Sequence, residues 1–141
     1  MKEDIVNPKR YTCNRLKCCD FLIVAGLNPL VACAVKYVWR YKDKNGVEDL
    51  KKALVFLDKM KNTTQEALYF TETEFFAYDW LLESMSDTQR FIVNTSVQTT
   101  HEELYKVAIS DMEIAINYLI KTEYGDESDQ RTIINFYLAT T

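Results

Sequence analysis

Apolar residues recur along this chain at helical rather than strand spacing. Val47, Leu50, Leu54 and Leu57 follow one another at intervals of three, four and three, which predicts a helix running to about Lys61 with one apolar face. Leu104, Ala108, Met112, Ala115 and Leu119, flanked by Ile109, Ile116 and Ile120, predict a helix to about Thr122. Its stripe is wide enough to need cover on two sides. Upstream, the run from Arg15 to Ala25 (RLKCCDFLIVA) predicts a first helix stopped at Gly26. Asn28 then caps a second helix, with Pro29 at its first position, where the missing N–H costs nothing, continuing to about Lys42. Asn45-Gly46 breaks the chain before the third helix, so helices two and three form a hairpin.

The second half is less regular. Residues Thr71 to Met85 (TETEFFAYDWLLESM) combine Thr and Glu at the start with a dense aromatic and aliphatic body, and a helix is expected there. Residues 90 to 98 (RFIVNTSVQ) are rich in β-branched side chains, which leaves a strand open at that point. Thr100, with Glu103 three positions on, reads as a capping box that puts His101 on a solvent-facing first turn. Tyr124-Gly125 ends the long helix, and the acidic loop GDESDQ leads to a short terminal helix around Thr132 to Leu138. With only three glycines and two prolines to punctuate 141 residues, helices joined by short polar connections are expected throughout. The fold expected is all-α, a single-domain bundle of about five helices around a central hairpin, closed within one chain or across a dimer.

Charge adds an asymmetry that the net value of −4 conceals. Residues 1–62 hold 13 basic against 7 acidic residues, a surplus of six, whereas residues 63–141 hold 4 against 14, a deficit of ten. Either the two halves attract each other, or the basic one presents a surface to anions. The longest apolar run, Phe21 to Val35, is interrupted by Asn28-Pro29 and falls short of the roughly 20 residues that span a bilayer. No membrane role is expected. The N-terminus MKEDIVNPKRY lacks the basic-then-apolar order of a signal peptide, so a cytoplasmic setting is expected. Cys13, Cys18, Cys19 and Cys33 contain no C-x-x-C pair and lie far from His101, the one histidine; reduced structural thiols are expected rather than a metal site.

The candidate chemistry sits on the second helix. Lys36, Arg40 and Lys44 recur every four residues, with Cys33 and Tyr37 beside them and Val31, Val35 and Val38 opposite, giving a cationic ridge with an aromatic flank. Such a ridge could hold a phosphate, with Tyr37 or Trp39 stacking on a base; equally, it is the polar face that any helix of a globular protein carries. The usual catalytic signatures, the P-loop, G-x-G-x-x-G, H-E-x-x-H and G-x-S-x-G, are absent. The acids Glu72, Glu74, Asp79 and Glu83 lack the dense spacing of helical metal-dependent pyrophosphatases and read as solvated surface. No catalytic residue is assigned.

Four blocks in order carry a family resemblance: NPKRY (Asn7 to Tyr11), the helix ending in CCDFL, AVKYVWR (Ala34 to Arg40) and EDLKKALVFL (Glu48 to Leu57). They resemble the SaV-like family of small phage early proteins, over about residues 6 to 61. Pro8, Tyr11, Asp20, Lys36, Tyr37, Arg40, Glu48, Asp49, Leu50, Lys52 and Ala53 fill family positions. Asn7 and Arg10 stand where the family has histidines, Ala32-Cys33 where it has Gly-Asn, and Lys42-Asp43 where it has Gly-Lys. The resemblance implies a phage origin and a host-cytoplasmic setting, with two functional classes. One is an interaction protein engaged by a host or defence protein, as in sensitivity to abortive infection, with a homo-oligomer compatible. The other is a deoxynucleoside monophosphate kinase without a P-loop, in which Lys36, Arg40 and Lys44 hold phosphates and Glu48 or Asp49 helps position magnesium with a nucleoside triphosphate. The candidate site, for nucleotide or for partner, comprises Tyr11, Lys36, Tyr37, Arg40, Glu48, Asp49 and Lys52, which fill family positions, together with Lys44 from the four-residue spacing. The interaction reading leads, because no glycine-rich turn is present to cradle a triphosphate. Nucleic acid is disfavoured, since the acidic half would repel its backbone.

Overall fold

The computed structural model describes residues 16–75 and 82–125. Among them every regular element is helical: α1 (Leu16–Ala25), α2 (Pro29–Arg40), α3 (Val47–Lys61), α4 (Asp87–Ser96) and α5 (Tyr105–Leu119), with short 3-10 turns at Tyr41–Asp43, Gln65–Ala67 and Val97–Thr100. The expected terminal helix at residues 132–138 lies outside the described residues, as do Cys13 and Tyr11.

Among the described residues the α2–α3 hairpin is the most extensive contact. The pair α4–α5 packs on it, α4 against α2 and α5 against α3, so these four helices close a ring, and α1 lies against α2. Val31, Ala34, Val35 and Val38 of α2, Leu50, Leu54 and Leu57 of α3, and Ile109, Met112, Ile116 and Ile120 fill the interior, each at most 2% exposed. Removing a side chain of this size from water contributes about 2 kcal/mol. The wide stripe of α5 is met on its two sides by α3 and α4. Leu104, expected on that stripe, is 39% exposed because the helix begins one residue after it.

The helix starts follow the side chains available to take up free N–H groups. At α2 the Asn28 Oδ1 accepts from the Leu30 N–H at 2.8 Å, with Pro29 behind it, as the sequence predicts. At α4 the cap is Ser86, whose Oγ accepts from the Gln89 N–H at 3.2 Å while the Gln89 Oε1 accepts from the Ser86 N–H at 3.3 Å. That reciprocal box decides residues 90–98 for helix over strand as far as Ser96. The same Gln89 is buried and donates from Nε2 to the Val38 carbonyl at 3.0 Å, tying α4 to the last turn of α2. Thr100 is not a helix cap. It lies in a 3-10 turn and its hydroxyl donates to the Val97 carbonyl, while Glu103 is exposed.

The helix expected over 71–85 is likewise corrected at its two ends, whereas Leu82 is helical. Residues 71–75 carry no helical hydrogen bonds and 83–85 form a turn; 76–81 lie outside the described residues. The Thr71 and Thr73 hydroxyls donate to the Gly26 and Ala25 carbonyls at 3.1 and 2.7 Å, satisfying two free carbonyls at the end of α1. The N–H groups of Glu72 and Thr73 go to the carbonyl and hydroxyl of Thr100 at 2.9 and 3.0 Å. The backbone is thereby committed away from helix. His101, expected on a solvent-facing turn, is half-buried here: its Nε2 meets the Thr73 carbonyl at 2.8 Å and its ring lies 5.0 Å from that of Phe75.

A second long-range tie is ionic. Lys61 at the end of α3 reaches both carboxylate oxygens of Glu113 on α5, at 3.0 and 3.3 Å. Burial raises the Glu113 pKa above the usual carboxylate range, and Lys61 opposes that shift.

The caps separate the fold read from the sequence and the fold observed. Ser86→Ala should cost about 1 kcal/mol of unfolding free energy, whereas Glu103→Ala should change it by less than about 0.5 kcal/mol, in urea titrations of the purified protein.

Candidate functional site

The residues expected to form the site are carried by the hairpin. Val31, Val35 and Val38 face the core, which turns Lys36, Tyr37 and Arg40 outward on the other side of α2. The helix stops at Arg40, two residues earlier than expected, because the chain tightens into the 3-10 turn Tyr41–Asp43. Lys44 follows with φ −128° and ψ −107°, off the helix, so the third cation of the ridge does not continue the row of Lys36 and Arg40. Glu48 is exposed at the first turn of α3, where a negative charge suits the helix dipole.

What the fold does bring together is Tyr37, Arg40, Asp49 and Lys52. Asp49 is fully buried. One of its oxygens faces the Arg40 Nη2 at 3.4 Å, and the other accepts from the Asn45 N–H at 3.2 Å. The Arg40 guanidinium carbon also stands 4.8 Å from the centre of the Tyr37 ring. Tyr37 in turn stacks on Phe56 of α3, with ring centres 5.8 Å apart and planes 17° apart. The Lys52 ammonium lies 5.7 Å from the Tyr37 ring centre and the Lys59 ammonium 5.4 Å from that of Phe56. The outer face of α2–α3 is therefore a platform: two half-buried stacked rings bordered by Arg40, Lys52 and Lys59, with exposed Lys36 on the same side of α2. Cation–ring contacts at such exposed positions contribute about 0.5–1 kcal/mol each.

Three members of this arrangement escaped the sequence reading. Phe56 and Lys59 carry a visible signal, since they lie four and seven residues beyond Lys52 on the same helix face. The third is the closure beneath Asp49. Tyr41 is fully buried and donates from its hydroxyl to Glu123 at 2.6 Å, across 82 residues of sequence. Its ring also meets that of Tyr124 edge-on at 6.4 Å. Burial, followed by the hydrogen bond to Glu123, pushes the Tyr41 pKa well above its usual value; burial and the charges of Glu123 and Asp49 raise that of Tyr124. The segment Ile120–Tyr124 reaches this position by widening from α5 into a π-helical turn, which Gly125 ends at φ 60°. No local sequence signal marks that register change.

Near Lys36, Cys18 is buried and its thiol pKa is pushed up to about 12 by burial and by neighbouring Cys19, with Lys36 pulling the other way. It stays a protonated core thiol. Among the described residues, no group of three or more His, Cys, Asp and Glu is placed to hold a metal ion, and no helix is long and apolar enough to cross a membrane.

Fold and site together define a small helical bundle whose central hairpin presents a cationic, aromatic platform braced by a buried carboxylate. Comparison with family models, curated proteins and solved structures found no match to the chain.

The bracing depends on Gly46, which leads into α3 at φ 57° and ψ −123°, a conformation that disfavours any side chain. A Cβ there would also stand 3.1 Å from the Tyr124 hydroxyl. Gly46→Ala should lower stability by about 2 kcal/mol, measured by chemical denaturation.

Proposed function

We propose that this chain works by binding another protein through the outer face of α2–α3, as an early phage protein of SaV-like type that a host or defence protein engages. One observation carries this reading: Arg40, the cation best suited to grip a phosphate, is turned onto the buried Asp49, while the adjacent Tyr37 is stacked on Phe56. Arg40 therefore braces the hairpin rather than standing free for a ligand. The platform left in place is broad and cationic, with a rigid aromatic centre, and suits an acidic protein surface. The resemblance of the four sequence blocks supports the same class. The alternative is a deoxynucleoside monophosphate kinase, in which Lys36, Lys52 and Lys59 would hold phosphates beside the Tyr37 ring with magnesium and a triphosphate. The exposure of Lys36, Lys52 and Lys59 beside the stacked rings is what favours it.

Thermal unfolding against a panel of deoxynucleoside mono- and triphosphates, with and without magnesium, separates the two. The interaction reading expects no selective shift. A true nucleotide at a hundredfold over its dissociation constant would add about 2.7 kcal/mol of stability. In parallel, the Lys36→Glu/Lys52→Glu variant should unfold at the wild-type temperature yet lose its protein partner. Selective stabilisation by one monophosphate together with a triphosphate and magnesium would replace the interaction reading with the kinase.

A further inference from the structure

The other layer of the bundle carries a second surface that the hairpin platform does not explain. Between α4 and α5 runs an open groove of about 400 Å³ lined by Asp87, Thr88, Phe91, Asp111, Ile114, Ala115 and Tyr118. Phe91, Ile114 and Tyr118 are 49%, 48% and 57% exposed, a concentration of large apolar side chains that ordinary surface does not need. Val107 extends the row on α5, and from Val107 to Tyr118 the helix advances about 16 Å, three turns. At the rim, Asp87 pairs with Arg90 of its own helix, while Asp111 has no partner among the described residues.

We propose that this groove docks a basic amphipathic helix of a partner protein, whose apolar stripe lies on Phe91, Ile114 and Tyr118 and whose lysines or arginines approach Asp111 and Asp87. Charge complementarity selects this occupant. The charged residues that line the groove, Asp87 and Asp111, are both acidic, so the potential there favours a cationic ligand. Shape agrees with charge: an open trough between two helices, continued by the exposed row from Val107 to Tyr118 on α5, accepts the i, i+4, i+7 anchors of a third helix. A second copy of this chain fits less well. Its cationic face is the α2–α3 platform, where Tyr37 and Phe56 are stacked on each other rather than projecting to fill a groove. With the platform on one layer and the groove on the other, the bundle would hold two partners of opposite charge at once.

The probe is a labelled amphipathic peptide of roughly 18 residues, about five turns, with leucines on one face and lysines elsewhere, beside a twin carrying glutamate for lysine. Fluorescence anisotropy with the full chain should show the lysine peptide binding at least about tenfold more tightly than its twin. Ile114→Asn and Tyr118→Asn, both at exposed positions, should each weaken that binding by about tenfold without lowering the unfolding temperature appreciably. Asp111→Asn should flatten its salt dependence, and Val55→Asn, on the exposed side of α3, should change nothing. Failure of the lysine peptide to bind, equal binding of both peptides, or indifference to the Ile114 and Tyr118 changes would overturn the proposal. So would a dimer of the free chain in sedimentation that Tyr118→Asn dissolves, since a second copy would then occupy the groove.

Discussion

A carboxylate with no exposure to water sits where α2 hands the chain to α3, and the geometry of that corner follows from satisfying it. A buried charge is tolerated only when paired and hydrogen-bonded. Asp49 meets this requirement with the Asn45 N–H on one oxygen and the Arg40 guanidinium facing the other. To place Asn45 and Arg40 there, α2 must end at Arg40, tighten through Tyr41–Asp43, and re-enter α3 through Gly46 in a conformation reserved for glycine. Tyr124 then covers Gly46 from the far end of α5, and Tyr41 anchors that end through Glu123. One buried charge thus fixes the crossing of the hairpin, the length of α2 and the docking of the chain's last described turn.

Other long-range polar contacts likewise secure the ends of elements against distant parts of the chain. Gln89 closes the cap of α4 and also meets the Val38 carbonyl of α2. Lys61, in the last turn of α3, is fixed to Glu113 in the middle of α5. Thr71 and Thr73 satisfy the end of α1, and Thr100 and His101 hold that strap from the other side. The apolar interior supplies most of the stabilisation without much direction, whereas these polar contacts choose the register among neighbouring packings. Glu72 sits in the middle of the strap at φ 53°, unusual for a residue with a side chain. The bonds of its N–H and of Thr71 and Thr73 on either side over-determine that conformation.

Periodicity made the hairpin legible, because α2 and α3 each bury one continuous apolar stripe and the Asn28 and Gly46 signals punctuate them. Where sequence reading went astray, a local signal was outcompeted by a distant partner. Thr100 and Glu103 have cap spacing, yet the Thr100 carbonyl and hydroxyl take the N–H groups of Glu72 and Thr73. Ser86 and Gln89 have the same spacing and do form the box. The β-branched run from residue 90 favours strand by propensity, but helical spacing buries Ile92, Val93 and Ser96 together, and packing outweighs propensity. At the candidate site, four-residue spacing marks Lys36 and Arg40, with Tyr37 beside them. Extending the row to Lys44 assumed that the helix continued, and the buried Asp49 is the reason it does not. The contact from Tyr41 to Glu123 joins residues 82 positions apart and leaves no trace in any short window of sequence.

The functional reading turns on how firmly Arg40 is held. If Asp49 claims it, the outer face of α2–α3 is a braced platform for a protein; if it is free, the same cation is available to a phosphate. A double-mutant cycle on Arg40→Ala and Asp49→Ala, read by chemical denaturation, measures that hold directly. A coupling of about 2 kcal/mol or more is predicted, as for partners sharing a buried ionic contact. A coupling below about 0.5 kcal/mol would mean that the two side chains act independently, and the account of the hairpin and of the face it presents would fail.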